Sequence, residues 1–266
     1  TNPSGELVLS TKNDAGTLTE RMRIDSSGNV GIGVTPETGW RSSAVGLDIG
    51  DGGAIAGYDG ASGAMQILSN SYWNTSGGSG WKYKNSSYPA TLLNCDGEFV
   101  FKTAGNGTAD NAITWTTAMT IDTTGRVTKP LQPAFLANLG TAVDLTSTEV
   151  QLKFTSEYFD VGNNHNGTTG RFTAPVAGVY MVTWGGTTYM GGDEQYATSF
   201  VKKNGSNYEG ARNRSSNASG NRYSGQTITL PIYLSASDYI TIHAYSQSTN
   251  SSVSANEYSF GAYLLG

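Results

Sequence analysis

The residue types that perform chemistry are scarce in this chain and poorly placed to cooperate. Two histidines occur, His165 in the Asn/Gly-rich run VGNNHNGTTG and His243 in the alternating run YITIHAY. Nucleophilic catalysis needs a Ser or Cys whose proton a neighbouring base removes. Neither histidine has such a partner at useful spacing, and both read as surface or packing residues. Cys95, the single cysteine, permits no intrachain disulfide and no zinc cluster with so few histidines. It reads as a small buried hydrophobe. Asp193 and Glu194 are adjacent acids, a residue type used in glycoside hydrolysis and calcium binding. Side by side in a Gly-rich loop, they read as solvated. The run GNVGIG at Gly28 to Gly33 is not a dinucleotide loop, because no helix pattern follows it. The expectation is a protein that binds, with no catalytic residue, metal or cofactor.

Composition sets the scaffold. Of 266 residues, 37% are hydrophobic and 14% charged, enough for packed cores. Abundant Gly (35) and Tyr (15), with many Ser, Thr and Asn and no long amphipathic 3.6-residue period, predict strands joined by turns. The fold class is therefore all-β. A formal charge of -5 supplies no basic field for a phosphate backbone, so nucleic acid is excluded as a partner. No apolar run approaches the ~20 residues that span a bilayer. The chain begins at Thr1 without Met or a signal peptide, as expected of a fragment or processed piece.

An internal repeat organises the first half. GELVLST at Gly5 to Thr11 returns as GEFVFKT at Gly97 to Thr103, and MRIDSSGNV at Met22 to Val30 returns as MTIDTTGRV at Met119 to Val127. Each copy reads as an alternating strand, a polar loop and a second strand that ends in turn chemistry. Asp25 and Asp122 can accept bonds from following N–H groups, and Gly28 and Gly125 can adopt positive φ. An isolated hairpin of this size is marginal in water, whereas three copies around an axis can bury one another's apolar faces. The segment ERMRIDSSGNVGIG at Glu20 to Gly33 resembles the recurrent shaft motif of bacteriophage tail fibres and spikes. Between the copies, Trp40 to Asp96 is dense in Gly, Ser and aromatics and reads as a small inserted β-domain. Its string GYDGASGAMQILSNSYWN resembles inserts found in phage tail fibres. The expected division is a first shaft repeat over 1–39, the insert over 40–96, a second repeat and linker over 97–132, and a head over 133–266.

The head reads as eight to ten short strands with intervening turns. Within FTAPVAGVYMVTW, residues Phe172, Gly178 and Tyr180 match Phe-x5-Gly-x-Tyr, and the segment resembles the signature of the complement 1q globular head. Trp184 stands where that family has Phe or Tyr. PAFLA at 133–137, the strand at 154–160, VKKNG at 201–205 and FGAYLL at 260–265 follow in the family's order. The resemblance implies a jelly-roll β-sandwich that assembles as a homotrimer.

Both faces of two segments are apolar: Tyr180, Val182 and Trp184 against Val179 and Met181, and Tyr263 and Leu265 against Phe260, Ala262 and Leu264. A sandwich covers one face of each sheet. Tyr180, Val182, Trp184, Tyr263 and Leu265 are therefore the expected trimer interface, at roughly 1.5–3 kcal/mol per large side chain covered. Strand parity places four long polar loops, 161–170, 185–195, 213–222 and 247–257, together at the end away from the shaft. Residues Asn163, Asn164, His165, Asn166, Tyr189, Asp193, Glu194, Arg214, Asn217 and Arg222 in the first three are the expected receptor contacts, tripled by trimerisation. The combined reading is a virion tail-fibre adhesin, extracellular in action. It attaches to other tail proteins through what precedes residue 1 and recognises a host surface polysaccharide or outer-membrane receptor. A glycan-degrading tail spike and a cellular complement 1q-like protein are the alternatives. The first calls for clustered acids and a β-helical body, the second for a collagen-like stalk or secretory cysteines.

Overall fold

The computed structural model describes residues 5–40, 43–58, 63–74, 80–192, 195–216, 218–247 and 250–265. Every regular element among them is a strand, so no helix is long and apolar enough to cross a membrane. The chain divides into two compact units, Thr1–Pro130 and Leu131–Gly266.

The first unit contains β1 (Leu7–Lys12), β2 (Leu18–Ile24), β3 (Val30–Ile32), β4 (Ala44–Ile49), β5 (Gly53–Tyr58), β6 (Met65–Ser69), β7 (Ser71–Asn74), β8 (Gly80–Tyr83), β9 (Ala90–Cys95), β10 (Phe99–Ala104), β11 (Thr116–Ile121) and β12 (Val127–Thr128). Ten of them form one sheet in the order β1-β2-β3-β4-β5-β6-β9-β10-β11-β12. The segment expected as a separate insert therefore supplies the middle of that sheet. Hairpin edges at β3 and β10 present unpaired N–H and C=O groups. Strand β4 satisfies the first in parallel and β9 the second antiparallel.

The two segments that share sequence build the same turn. Asp25 Oδ1 accepts the N–H groups of Ser27 and Asn29, and Asp122 Oδ1 those of Thr124 and Arg126. Gly28 and Gly125 follow at φ of 87° and 82°. One face of the sheet packs on Trp40 with Trp73, Trp81 and Trp115 around it. A Cβ at Gly46 would stand 2.3 Å from Trp40 Nε1, so only glycine lets the indole close over the sheet. That indole donates to the buried Asp48, which also accepts from Glu37 N–H and pairs with Lys84.

The second unit contains β13 (Ala134–Asn138), β14 (Val143–Leu145), β15 (Val150–Leu152), β16 (Ser156–Val161), β17 (His165–Asn166), β18 (Arg171–Thr173), β19 (Gly178–Met190), β20 (Tyr196–Lys203), β21 (Ser206–Ser216), β22 (Arg222–Leu234), β23 (Tyr239–Ser246) and β24 (Ser251–Leu264). Two sheets, β16-β13-β24-β19-β22 with β14 and β17-β18-β23-β20-β21 with β15, face each other across one core. Phe135 anchors it, stacked on Phe172 at 4.9 Å and edge-on to Phe260 at 4.8 Å.

The core corrects the expected interface. Tyr180, Val182 and Trp184 are fully buried within the single chain. The Tyr180 hydroxyl donates to Val176 O, and Trp184 Nε1 donates to Ser199 Oγ, so both polar tips are satisfied inside. With two apolar faces on β19, alternation alone does not say which turns inward; the larger aromatics do. Register puts Tyr263 beside Met181 on the outer face, where Tyr263 and Leu265 remain about half exposed.

Candidate functional site

The antiparallel register defines two ends of the sandwich. At one, Met190 faces both Arg222 and Ser251, Tyr196 faces Ser216, and Ala197 faces Ser246. At the other, Ala134 faces Val161, Gly178 faces Leu234, and Thr173 faces Tyr239. Segment 161–170 leaves β16 at this second end, which separates Asn163, Asn164, His165 and Asn166 from the other expected contacts. Parity failed because the segment hides the hairpin β17–β18, an extra return pass inside what reads as one loop.

These four residues hold structure. His165 is buried and stacks on Phe135 at 4.6 Å, and its Nδ1 lies 2.8 Å from Glu157 Oε1. Asn164 takes its turn from Asp160 and Val161, and Asn166 Oδ1 accepts the Thr169 N–H. Asn163 sits in the turn at φ 55°.

At the first end the expected loops are largely strand. β19 runs to Met190, β21 to Ser216, and β24 starts at Ser251. These stretches lack apolar alternation because their inward positions are polar: Thr188, Asn213 and Ser215 line a small cavity with Ser199 and Tyr258. Gly186 lets the strands close here, since a Cβ would stand 1.9 Å from Glu257 O.

This end presents aromatic and guanidinium groups on the outer faces of both sheets. Tyr189 and the well-exposed Tyr223 pair with ring centroids 5.2 Å apart. On the outer face of the other sheet Arg214 lies over the Tyr196 ring at 4.4 Å, and further in, opposite His243, Arg212 lies over Phe200 at 5.3 Å. A pocket of about 210 Å³ beside Tyr189 is lined by Asp144, Asn250, Ser251 and Ser252. Arg222 Nε donates to Ser219 O and helps shape the β21–β22 turn. Asp193, Glu194 and Asn217 lie outside the described residues. Tyr196, Tyr223, Arg212 and Asp144 were missed by sequence reasoning; the alternation of Arg212 and Arg214 with small residues was the available signal.

Flat aromatic faces beside fixed donors and carboxylates suit polyhydroxylated ligands, which offer C–H faces and vicinal hydroxyls to the two kinds of group. Among the described residues, nothing at this end pairs a base with a nucleophile and no cluster of three metal-binding side chains occurs. His243 lies at mid-strand beside Glu149 and Lys202. Burial lowers its pKa against the pull of Glu149.

The outer face of the β16-β13-β24-β19-β22 sheet carries Phe159, Tyr233, Tyr263 and Leu265, each roughly half exposed, with Val179 and Met181 between them.

Residues 134–265 match the C1q domain. This stretch coincides with the second unit, and its all-β, two-sheet sandwich is the C1q-type jelly roll. Among solved structures, the globular domain of zebrafish complement 1qA protein is similar at 16% identity, with 51% of this chain and 98% of that one covered and a TM-score of 0.37. No curated protein matches the chain.

Proposed function

We propose that this chain is the receptor-recognition part of a bacteriophage tail fibre, acting as a homotrimer outside the cell without catalysis. C1q domains are trimeric binding and structural modules, which supports assembly through the second unit. The half-exposed apolar outer face around Met181 and Tyr263 is the surface such a trimer would cover, with Tyr263 and Leu265 retained in it. The shaft-like motif at Glu20 to Gly33 supports the virion setting, with other tail proteins as further partners.

Recognition is assigned to the end of the C1q domain that carries Tyr189, Tyr196, Arg214, Tyr223 and Arg222. The observation that carries it is the Tyr189–Tyr223 pair beside the Asp144 pocket, with the Arg214–Tyr196 stack at the same end on the other sheet. The ligand class that fits is a host-surface glycan such as lipopolysaccharide. Trimerisation sets three such ends on one particle, and avidity turns weak single contacts into attachment.

Purified full-length chain, incubated with extracted surface polysaccharide and separately with protease-treated host cells, tests the assignment. Binding to both is the expected result. Loss of binding after protease treatment would move recognition to a protein receptor, and binding to neither would refute the adhesin reading.

A further inference from the structure

The sheet of the first unit is apolar on both faces. Leu47, Ile55, Ile67, Leu93, Phe101 and Met119 stand opposite one another in an unbroken row across six adjacent strands. Rows on either side add Val45, Met65 and Phe99 at one flank and Ile49 at the other. Ile55, Ile67, Met65, Ile49, Phe99 and Val45 are 36% to 51% exposed. The positions alternating with them, including Asp48, Ala54, Ala56, Gln66, Leu68, Leu92 and Val100, are the buried ones. The covered face is closed by the Trp40 cluster, and the open face carries a second set of large aliphatic and aromatic groups. No Asp, Glu, Lys or Arg occupies that open face on β4, β5, β6, β9 or β10.

An antiparallel sheet with one face packed on a core normally turns a polar face to solvent. The exposed apolar area of the ten or so side chains amounts to roughly 600–900 Å² per copy, against the ~300–600 Å² of the largest patch on a typical monomer. It equals the ~800 Å² that each partner contributes to a stable protein interface. A face without charge and with aligned apolar rows matches another face of its own kind. We infer that the open face of the ten-stranded sheet packs on the same face of further copies of this chain, as an assembly surface separate from the C1q domain.

Cys95 reports on this directly, because it lies on the open face between Met65 and Phe99 and is partly exposed in the single chain. Sedimentation of the full-length protein gives the assembly mass, and maleimide labelling gives the thiol's accessibility. The expected result is an oligomer whose Cys95 reacts at least 100-fold more slowly than a small free thiol, with no variant needed. Ile67→Lys, or the milder Ile55→Thr, should raise the rate at least 10-fold while the C1q domain keeps the oligomeric mass. Rapid labelling in the native oligomer would overturn the inference. So would slow labelling of a protein that sediments as a monomer, since its own chain would then cover the face. A monomeric mass with rapid labelling would refute both this surface and the homotrimer. An oligomeric mass with rapid labelling would refute this surface alone.

Discussion

Replacing Trp184 with Phe separates a core role from an interface role. The side chain is fully buried in one chain, and its Nε1 donates to Ser199 Oγ at 3.1 Å, an oxygen that also receives the Tyr258 hydroxyl at 2.7 Å. Phenylalanine removes about 40–60 Å² of buried apolar surface, worth about 1–1.5 kcal/mol. The cavity left behind adds about 1 kcal/mol if it does not collapse. The lost hydrogen bond adds about 0.5–1 kcal/mol, at the low end because Tyr258 still satisfies Ser199. The sum is about 2–4 kcal/mol, which at about 4 °C per kcal/mol for a domain of this size lowers Tm by roughly 8–16 °C. Calorimetry on the full-length protein reads the shift, and sedimentation below the transition reads the mass. The mass should not change. An unchanged Tm with dissociation into smaller species would place Trp184 between copies and refute the inward assignment of that β19 face.

Further outcomes follow from the same geometry. Asp238 is held at a pKa of about 2 by the Asn204 amide, Lys203 and the Ser235 N–H. Its folded pKa lies below the unfolded value of about 3.9, so its contribution is complete above about pH 4 and is lost as pH falls towards 2. Asp238→Asn should flatten the acid limb of stability over that window in urea titrations. Burial raises the Tyr258 hydroxyl to about 12. Its stabilisation is intact below about pH 10 and is lost as pH rises towards 12, so spectrophotometric titration should find a late-titrating group of tyrosines, with Tyr72 and Tyr180 also raised, that is one smaller in Tyr258→Phe. Gly186→Ala places a Cβ 1.9 Å from Glu257 O at φ 152°. It should cost about 1–3 kcal/mol or more, read as a lower Tm.

Much of this architecture was legible in the sequence wherever local chemistry is strong. The Asp-x-x-Gly turns after Ile24 and Ile121 need an acceptor at the first position and positive φ at the last, and the residues advertise both. The C1q domain was legible through the order of its apolar segments. Three features were not. The insert joins the main sheet because strand edges at β3 and β10 demand partners, a nonlocal requirement without a local signature. The ends of β19, β21 and β24 read as loops because their interior positions are Thr188, Asn213 and Ser251. The direction of β19 was undecidable from alternation, since both of its faces are apolar and only packing against Phe172 and Ser199 selects Tyr180 and Trp184. The hairpin β17–β18 hidden in 161–170 moved the site: Asn163 to Asn166 fell at the opposite end, while Tyr189, Arg214 and Arg222 stayed at one end.

Adsorption of purified protein to host cells tests recognition at the Tyr189–Arg214 end most directly. The double variant Arg214→Ala, Tyr223→Ala should retain its Tm and oligomeric mass and lose at least 10-fold in adsorption, because both side chains project from exposed strand positions. Asn163→Gly, at the other end, should adsorb normally. Normal adsorption by the double variant, or an equal loss from Asn163→Gly, would contradict the account.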